Sequence, residues 1–168
     1  LTERYDQWAA EYDSDLSEEF GWVAPQRAAE LFARYTPTDA RVLDAGAGTG
    51  LVGSELHRLG SKGLLAVDMS EGMLAQARDK GVYGELRRMV LGEPLDFPSN
   101  YFGATICVSV FTLGHAPASS LNELVRVTMP GGHIVFTLRP SARLSRASSR
   151  SSGRLQLSRA ERSGRDNS

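Results

Sequence analysis

The sequence predicts an α/β domain built on a doubly wound, mostly parallel sheet, and three observations predict it. Short apolar runs that end in an acid, "RVLDAG" and "GLLAVD", alternate with stretches of helical periodicity. A glycine cluster, Gly46, Gly48 and Gly50, stands between the first run and the first helical stretch, where a strand must turn sharply into a helix. A later run, "ATICVSV", is apolar nearly throughout, as in a strand covered on both faces.

Each element follows in order. Residues 1–36 read as two helical pieces. The second, "APQRAAELFARY", has Pro25 near its first turn and Ala28, Leu31, Phe32 and Tyr35 at helical spacing. "RVLDAG" is the first strand, and a helix of about ten residues starting at Gly50 leads to the second, "GLLAVD". "SEGMLAQARDKG" is a helix with Ser70 as N-cap, Gly81 as stop, and Met73 and Leu74 facing the core. "LRRMVL" is a weaker third strand, and "ATICVSV" is the fourth. Ser120 and Glu123 have capping-box spacing ahead of an apolar face of Leu121, Leu124, Val125 and Thr128. "MPGG" ends that helix and turns into "HIVFTL", the fifth strand. In such sheets ligands sit beyond the carboxyl ends of the strands, at the switch in strand order. The glycine loop and Asp68, at the end of the second strand, are therefore placed to share one ligand.

Composition narrows the class. With 168 residues, 41% hydrophobic and 23% charged, the chain suits one soluble domain with a sizeable core. The single cysteine, Cys107, lies in an apolar run and reads as a buried side chain in a reducing compartment, cytoplasmic or also nuclear. The opening "LTERYDQWAAEYD" is acidic and aromatic, unlike a signal peptide. Phe97 to Asn122 carries no formal charge, but Asn100, Gly103, Gly114, His115 and Pro117 interrupt it, so a strand and loop are expected there and no membrane contact. The net charge of −1 conceals a break. Residues 1–140 carry 12 basic and 18 acidic side chains, whereas residues 141–168 carry 7 basic and 2 acidic.

Two nucleotide-binding patterns overlap in "RVLDAGAGTGLVG". Gly48-x-Gly50-x-x-Gly53 matches the dinucleotide pattern, and Asp44-x-Gly46-x-Gly48-x-Gly50 is a different one. Asp68, which can accept hydrogen bonds from two ribose hydroxyls, serves either. Asp44 separates them. A dinucleotide brings a doubly negative pyrophosphate, which a carboxylate at the strand end repels. S-adenosylmethionine brings no phosphate; its sulfonium and ammonium are attracted by an acid, and its one carboxylate suits amides at the helix start. The loop therefore favours S-adenosylmethionine, and Gly53 falls one turn into the helix with its match incidental.

The set "YDQWAAEYD", "VLDAGAGTG", "AVDMSEGMLAQAR", "VLGEPLDFPSNYF" and "MPGGHIVFTLRP", in that order, resembles the class I S-adenosylmethionine-dependent methyltransferases, and within them the small methyltransferase-like proteins of the Williams–Beuren-region type. The resemblance runs from about Tyr5 to Pro140 and implies a Rossmann-like core. It implies that Asp44, Gly46, Gly48 and Gly50 hold the methionine portion, Asp68 the ribose hydroxyls, and Met69 the adenine face. Leu91 and Gly92 would meet the adenine edge, and Ser109 and Val110 would line the methyl-transfer channel. Tyr12, with Trp8 beside it, would belong to an N-terminal lid. The implied reaction is transfer of a methyl group to an unidentified acceptor.

The sequence departs from the family in three places. Leu91 stands where many relatives have an acid for the adenine amino group, and Gly103 stands where relatives often have Asp. After the fifth strand the family adds a helix and an antiparallel strand pair. Here "SARLSRASSRSSGRLQLSRAERSGRDNS" follows, with nine serines, seven arginines and only Leu144, Leu155 and Leu157 as large aliphatics. That composition predicts a disordered tail over 141–168 behind a domain of 1–140, with the final antiparallel strands missing and the fifth strand left as an edge. The simplest reading of the tail is a variant end on a normal enzyme. A Ser/Arg segment that contacts RNA or partners is the alternative.

No catalytic residue is assigned, because in-line methyl transfer needs alignment and exclusion of water more than a protein nucleophile. His115, in the loop after the fourth strand, reads as a surface side chain before a base, His57 and His133 as structural, and Arg87-Arg88 as a solvated pair. Tyr5 and Trp22 read as packing. No metal set is present. Two further classes compete with a methyltransferase: a cofactor-binding protein that no longer catalyses, and a nicotinamide-dependent oxidoreductase resting only on Gly48-x-Gly50-x-x-Gly53 and Asp68.

Overall fold

A computed structural model of the chain describes residues 2–9, 13, 23–111, 116–138 and 154–159. Within them a six-stranded sheet has the order β3-β2-β1-β4-β5-β6. The strands are β1 (Arg41–Ala45), β2 (Gly63–Asp68), β3 (Glu85–Arg88), β4 (Phe102–Phe111), β5 (Thr128–Leu138) and β6 (Arg154–Arg159). The helices are α1 (Thr2–Trp8), α2 (Ala24–Ala33), α3 (Leu51–Arg58), α4 (Glu71–Asp79) and α5 (Ser120–Val127). The first five strands are parallel, and β1 pairs with both β2 and β4, so strand order reverses at β1. The predicted doubly wound sheet is the observed one.

Side-chain alternation along the central strands feeds two apolar layers. Val42, Leu64 and Ile106 pack with Ala28, Ala29 and Phe32 of α2 and Leu56 of α3. Leu43, Leu65 and Cys107 pack with Phe97, Phe102 and, from α5, Leu124 and Val127. Burial of a side chain such as Phe32 or Leu43 contributes roughly 1.5–3 kcal/mol. Two expected helix faces shift by a residue or more. Tyr35 is exposed and lies beyond the end of α2, its ring beside that of His133 with centroids 5.6 Å apart. In α5 Val125 is exposed and Val127 is buried instead, while Thr128 starts β5 and exchanges a 2.8 Å hydrogen bond with Thr105.

Among the described helices only α4 has a side-chain cap at its start. Ser70 accepts from the Met73 N–H at 3.1 Å and caps α4, and Gly81, at φ +66°, follows the end of the helix. The capping box expected at α5 is absent: Ser119 is the N-cap residue, without a side-chain cap bond, and Glu123 turns outward to other partners. Its Oε2 accepts from Leu95 N–H at 2.8 Å and from Arg126, whose guanidinium donates to the carbonyls of Leu95 and Phe97, each at 2.8 Å. Arg87 is likewise not a merely solvated cation. It pairs with Glu85, donates to the Asp96 carbonyl at 3.1 Å and lies over the Phe97 ring at 4.7 Å. Together these cations fasten the 93–97 turn, which leads from β3 towards β4, onto the sheet and α5.

β3 begins one residue before "LRRMVL", at Glu85, and ends at Arg88, because Leu65 to Asp68 of β2 set its register. β5 begins at Thr128, so "MPGG" belongs to the strand, with an irregularity between its Thr128 and His133 pairings that Gly131 allows at φ +81°. The end of the chain differs from expectation. Residues 154–159 pair antiparallel with His133 to Leu138, so β5 is not left as an open edge. "RLQLSR" alternates Leu155 and Leu157 with polar residues at period two, a strand pattern that composition alone overlooks. Replacing Arg126 by alanine removes the donors to the Leu95 and Phe97 carbonyls. Urea denaturation is expected to show a loss of about 1–3 kcal/mol, with faster amide exchange at Leu95 and Phe97.

Candidate functional site

The carboxyl ends of β1, β2 and β4 meet at the reversal of strand order. Beyond β1, the Gly46 and Ala47 N–H groups donate to the Val67 carbonyl at 2.8 and 3.1 Å, and the Gly48 N–H donates to Asp68 Oδ2 at 2.8 Å. Folding the loop back onto β2 this way takes left-handed backbone at Gly46, Gly48 and Gly50, with φ of +75°, +55° and +87°. A Cβ at Gly48 would meet nothing within 4 Å, so the crest of the loop faces open space. A Cβ at Gly46 would overlap Val110 and lie 3.6 Å from Leu91 Cδ1. The glycine loop, the 91–92 turn and the end of β4 therefore converge.

Asp44 lies directly beneath that loop and is only 1% exposed. The Tyr83 hydroxyl donates to its Oδ2 at 2.6 Å. Burial pushes the Asp44 pKa up to about 7; the Tyr83 hydrogen bond opposes the rise, Asp68 adds to it, and the Gly53 N–H opposes it. Burial also raises Tyr83, and so does its carboxylate partner, so the phenol stays protonated and donates. The same ring accounts for Gly53. A Cβ there would overlap the Tyr83 hydroxyl, and one at Gly50 would come within 3.0 Å of the ring. The third glycine of the dinucleotide pattern thus makes room for a tyrosine, not for a pyrophosphate.

Asp68 ends β2 half-buried, with Oδ1 accepting from Ser70 N–H at 3.0 Å and Oδ2 from Gly48. Burial raises its pKa and the backbone donors of Ser70, Gly48 and Met69 lower it. A carboxylate has about four acceptor positions, so both oxygens retain capacity for hydroxyl donors. Met69 is half-buried next to it, its carbonyl taken by Arg88 at 3.0 Å. Gly92, at φ +110°, turns beside Pro117, and the buried Ser120 hydroxyl lies on the same side without a partner among the described residues. Ser109 sits at φ +61° in an irregularity of β4, its N–H donating to Thr137 Oγ1 at 2.6 Å. Left-handed backbone at a non-glycine is a strain found at functional positions. Of the expected binding residues, Tyr12 lies outside the described residues, as does His115.

Two acids of "YDQWAAEYD" to which the sequence gives no role also reach the site. Asp6 of α1 accepts from Ser70 Oγ and from Gly72 N–H at 3.0 Å, which holds its pKa low. Asp13 accepts from Thr49 Oγ1 and pairs with Lys80 Nζ at 2.6 Å. The described parts of the N-terminal segment are thus tied to both loops that flank the ligand space, with half-buried Trp8 ending α1. Partners here are 36 to 67 residues apart, beyond any local pattern. Asp6, Asp13, Asp44 and Asp68 make this edge acidic, which favours a cationic ligand and opposes a pyrophosphate.

Residues 43–136, more than half of the chain, match the family model described as a methyltransferase domain. The chain belongs to the class I S-adenosylmethionine-dependent methyltransferases. It is 38% identical over 142 residues to "Methyltransferase-like protein 27" of Homo sapiens, covering 82% of this chain and 57% of that protein's length. A Thermotoga maritima structure described as a possible histamine N-methyltransferase superposes with a TM-score of 0.65 at 21% identity, covering 82% of this chain and 61% of the other. The "DhpI-SAH complex structure" superposes with a TM-score of 0.64 at 24% identity, over 93% and 76% of the two chains. At those identities the superpositions show the fold alone.

Within this family core, Asp44 carries a stability cost with a defined pH window. Its folded pKa of about 7 exceeds the ordinary value of 3.8, so the folded state binds its proton more tightly. The contribution of Asp44 to stability therefore falls as pH rises from about 4 to about 7, by an amount of the order of a few kcal/mol. Without ligand, Asp44→Asn is expected to melt several degrees above wild type near pH 8. The gap should close near pH 4, as read by circular dichroism.

Proposed function

We propose that this chain binds S-adenosylmethionine across the β1–β4 switch and transfers its methyl group to an acceptor held beyond β4. The observation that carries this reading is the buried Asp44 carboxylate beneath a glycine loop whose crest is open, with Asp68 beside it. The residues fit the cofactor: an acid for its cationic end, glycines for close approach, and a half-buried carboxylate for paired hydroxyls. When bound, the cofactor supplies a methyl carbon already activated by its sulfonium.

The chain's own residues bind, orient and exclude water. Asp44, Gly46, Gly48 and Gly50 hold the amino-acid end; Asp68 orients the ribose; Met69, Leu91 and Gly92 border the adenine. Ser109 and Val110, brought up to the glycine loop by the β4 irregularity, form the wall past which an acceptor approaches. Asp6 and Asp13 close the N-terminal side and, with Tyr12 in the same segment, shield the site from water. Residues 1–140 form the cofactor-binding unit, 141–168 a Ser/Arg-rich extension of which β6 docks on the sheet, and the buried Cys107 thiol suits a reducing cytoplasmic or nuclear compartment.

Calorimetric titration tests this reading. S-adenosylhomocysteine is expected to bind in the micromolar range and NADH not at all; NADH binding alone would refute the role of Asp44. Asp68→Ala is expected to weaken S-adenosylhomocysteine by about tenfold or more, since hydrogen bonds to a charged acceptor are lost.

A further inference from the structure

We propose that Tyr83 is a positioning residue for cofactor binding, its hydroxyl holding the Asp44 carboxylate charged and oriented beneath the glycine loop so that the cofactor's α-ammonium group is bound. This rests on the role of Asp44 given above. Tyr83 belongs to no nucleotide-binding pattern and lies 39 residues from its partner. The fold nonetheless makes specific room for it, because a Cβ at Gly53 would overlap the hydroxyl and one at Gly50 would crowd the ring. A phenol serving only as filler does not require its oxygen 2.6 Å from a carboxylate that is 1% exposed.

The groups that face Asp44 leave this task to Tyr83. Asp68, on the adjoining β2, is an anion and raises the cost of charging Asp44. The Gly53 N–H of α3 helps stabilise the charge, though less than Tyr83 does. On β4 the buried Cys107 thiol is held in its neutral form by burial and by both carboxylates. Lys80, in the segment that leads to Tyr83, is engaged by Asp13. A neutral phenol donating to a carboxylate favours the ionised form, so removing the hydroxyl makes Asp44 harder to charge. The ligand's ammonium group binds the ionised form, so as pH is lowered affinity is lost at a higher pH than in wild type.

The test is the pH profile of S-adenosylhomocysteine affinity between about pH 6 and 8, measured by calorimetry on the full chain. The ligand's own amino group titrates identically in every sample, so differences between variants report on the protein. Tyr83→Phe, which keeps the ring, is expected to move the midpoint up by about one pH unit, the size of one hydrogen bond to a charged group. Affinity near neutrality should drop several-fold and recover at the alkaline end. Asp44→Asn should flatten the profile, and adding Tyr83→Phe to it should change nothing further. Gly53→Ala, which puts a methyl where the hydroxyl sits, is an independent second variant and should reproduce the upward shift.

An equal loss of affinity at every pH in Tyr83→Phe, with an unmoved midpoint, would show a packing role and overturn the proposal. So would additive losses in the double variant. A wild-type protein that binds with no pH dependence would overturn the part assigned to Asp44 and this inference with it. A folded wild-type protein that binds no S-adenosylhomocysteine would instead overturn the cofactor reading itself.

Discussion

A carboxylate buried at the end of the central strand is the constraint around which this molecule is arranged. Asp44 has lost nearly all contact with water, and an unpaired charge there would be prohibitive. The Tyr83 hydroxyl and the Gly53 N–H offset part of that cost, and their positions dictate what surrounds them. The ring needs Gly53 and Gly50 to lack a Cβ, so the first turn of α3 is shaped by a residue in the loop between α4 and β3. The loop above is in turn folded back on β2 through Val67 and Asp68. Backbone conformation, helix packing and site electrostatics are consequences of one buried charge.

The periphery of the site repeats the theme with weaker interactions. Asp6 and Asp13 reach the loops on either side of the ligand space. Ion pairs and hydrogen bonds near a surface contribute little each, so these contacts are weaker than the apolar packing of the sheet. The opposite wall is firmer: β4 is buried over most of its length, and its irregularity occurs where Ser109 and Val110 must leave the sheet to face the glycine loop.

Much of this was legible in the sequence. Alternating apolar runs, the Ser70 cap and the glycine cluster report interactions among near neighbours, and the β1-to-α4 half of the sheet followed directly from them. The N-terminal pairs of Asp6 and Asp13 were not legible, because an acid in "YDQWAAEYD" looks the same whether it meets water or a hydroxyl 36 residues away. Glu123 shows the converse. Its spacing from Ser120 matches a capping box, yet Leu95 N–H and Arg126 are better partners, and tertiary contact overrides the local pattern. At the chain end a composition argument missed "RLQLSR", because averaging over 28 residues hides a six-residue alternation.

By itself the sequence determined the fold class, the family and the acids and glycines at the switch point, Asp44, Gly46, Gly48, Gly50 and Asp68, since periodicity and short motifs encode local geometry. It left open why Gly53 is glycine. Only the tertiary structure decided that, by setting Tyr83 against it and against Asp44. A hydrogen bond depends on distance in space, and nothing in the order of residues along a chain records which tyrosine will stand 2.6 Å from a buried acid.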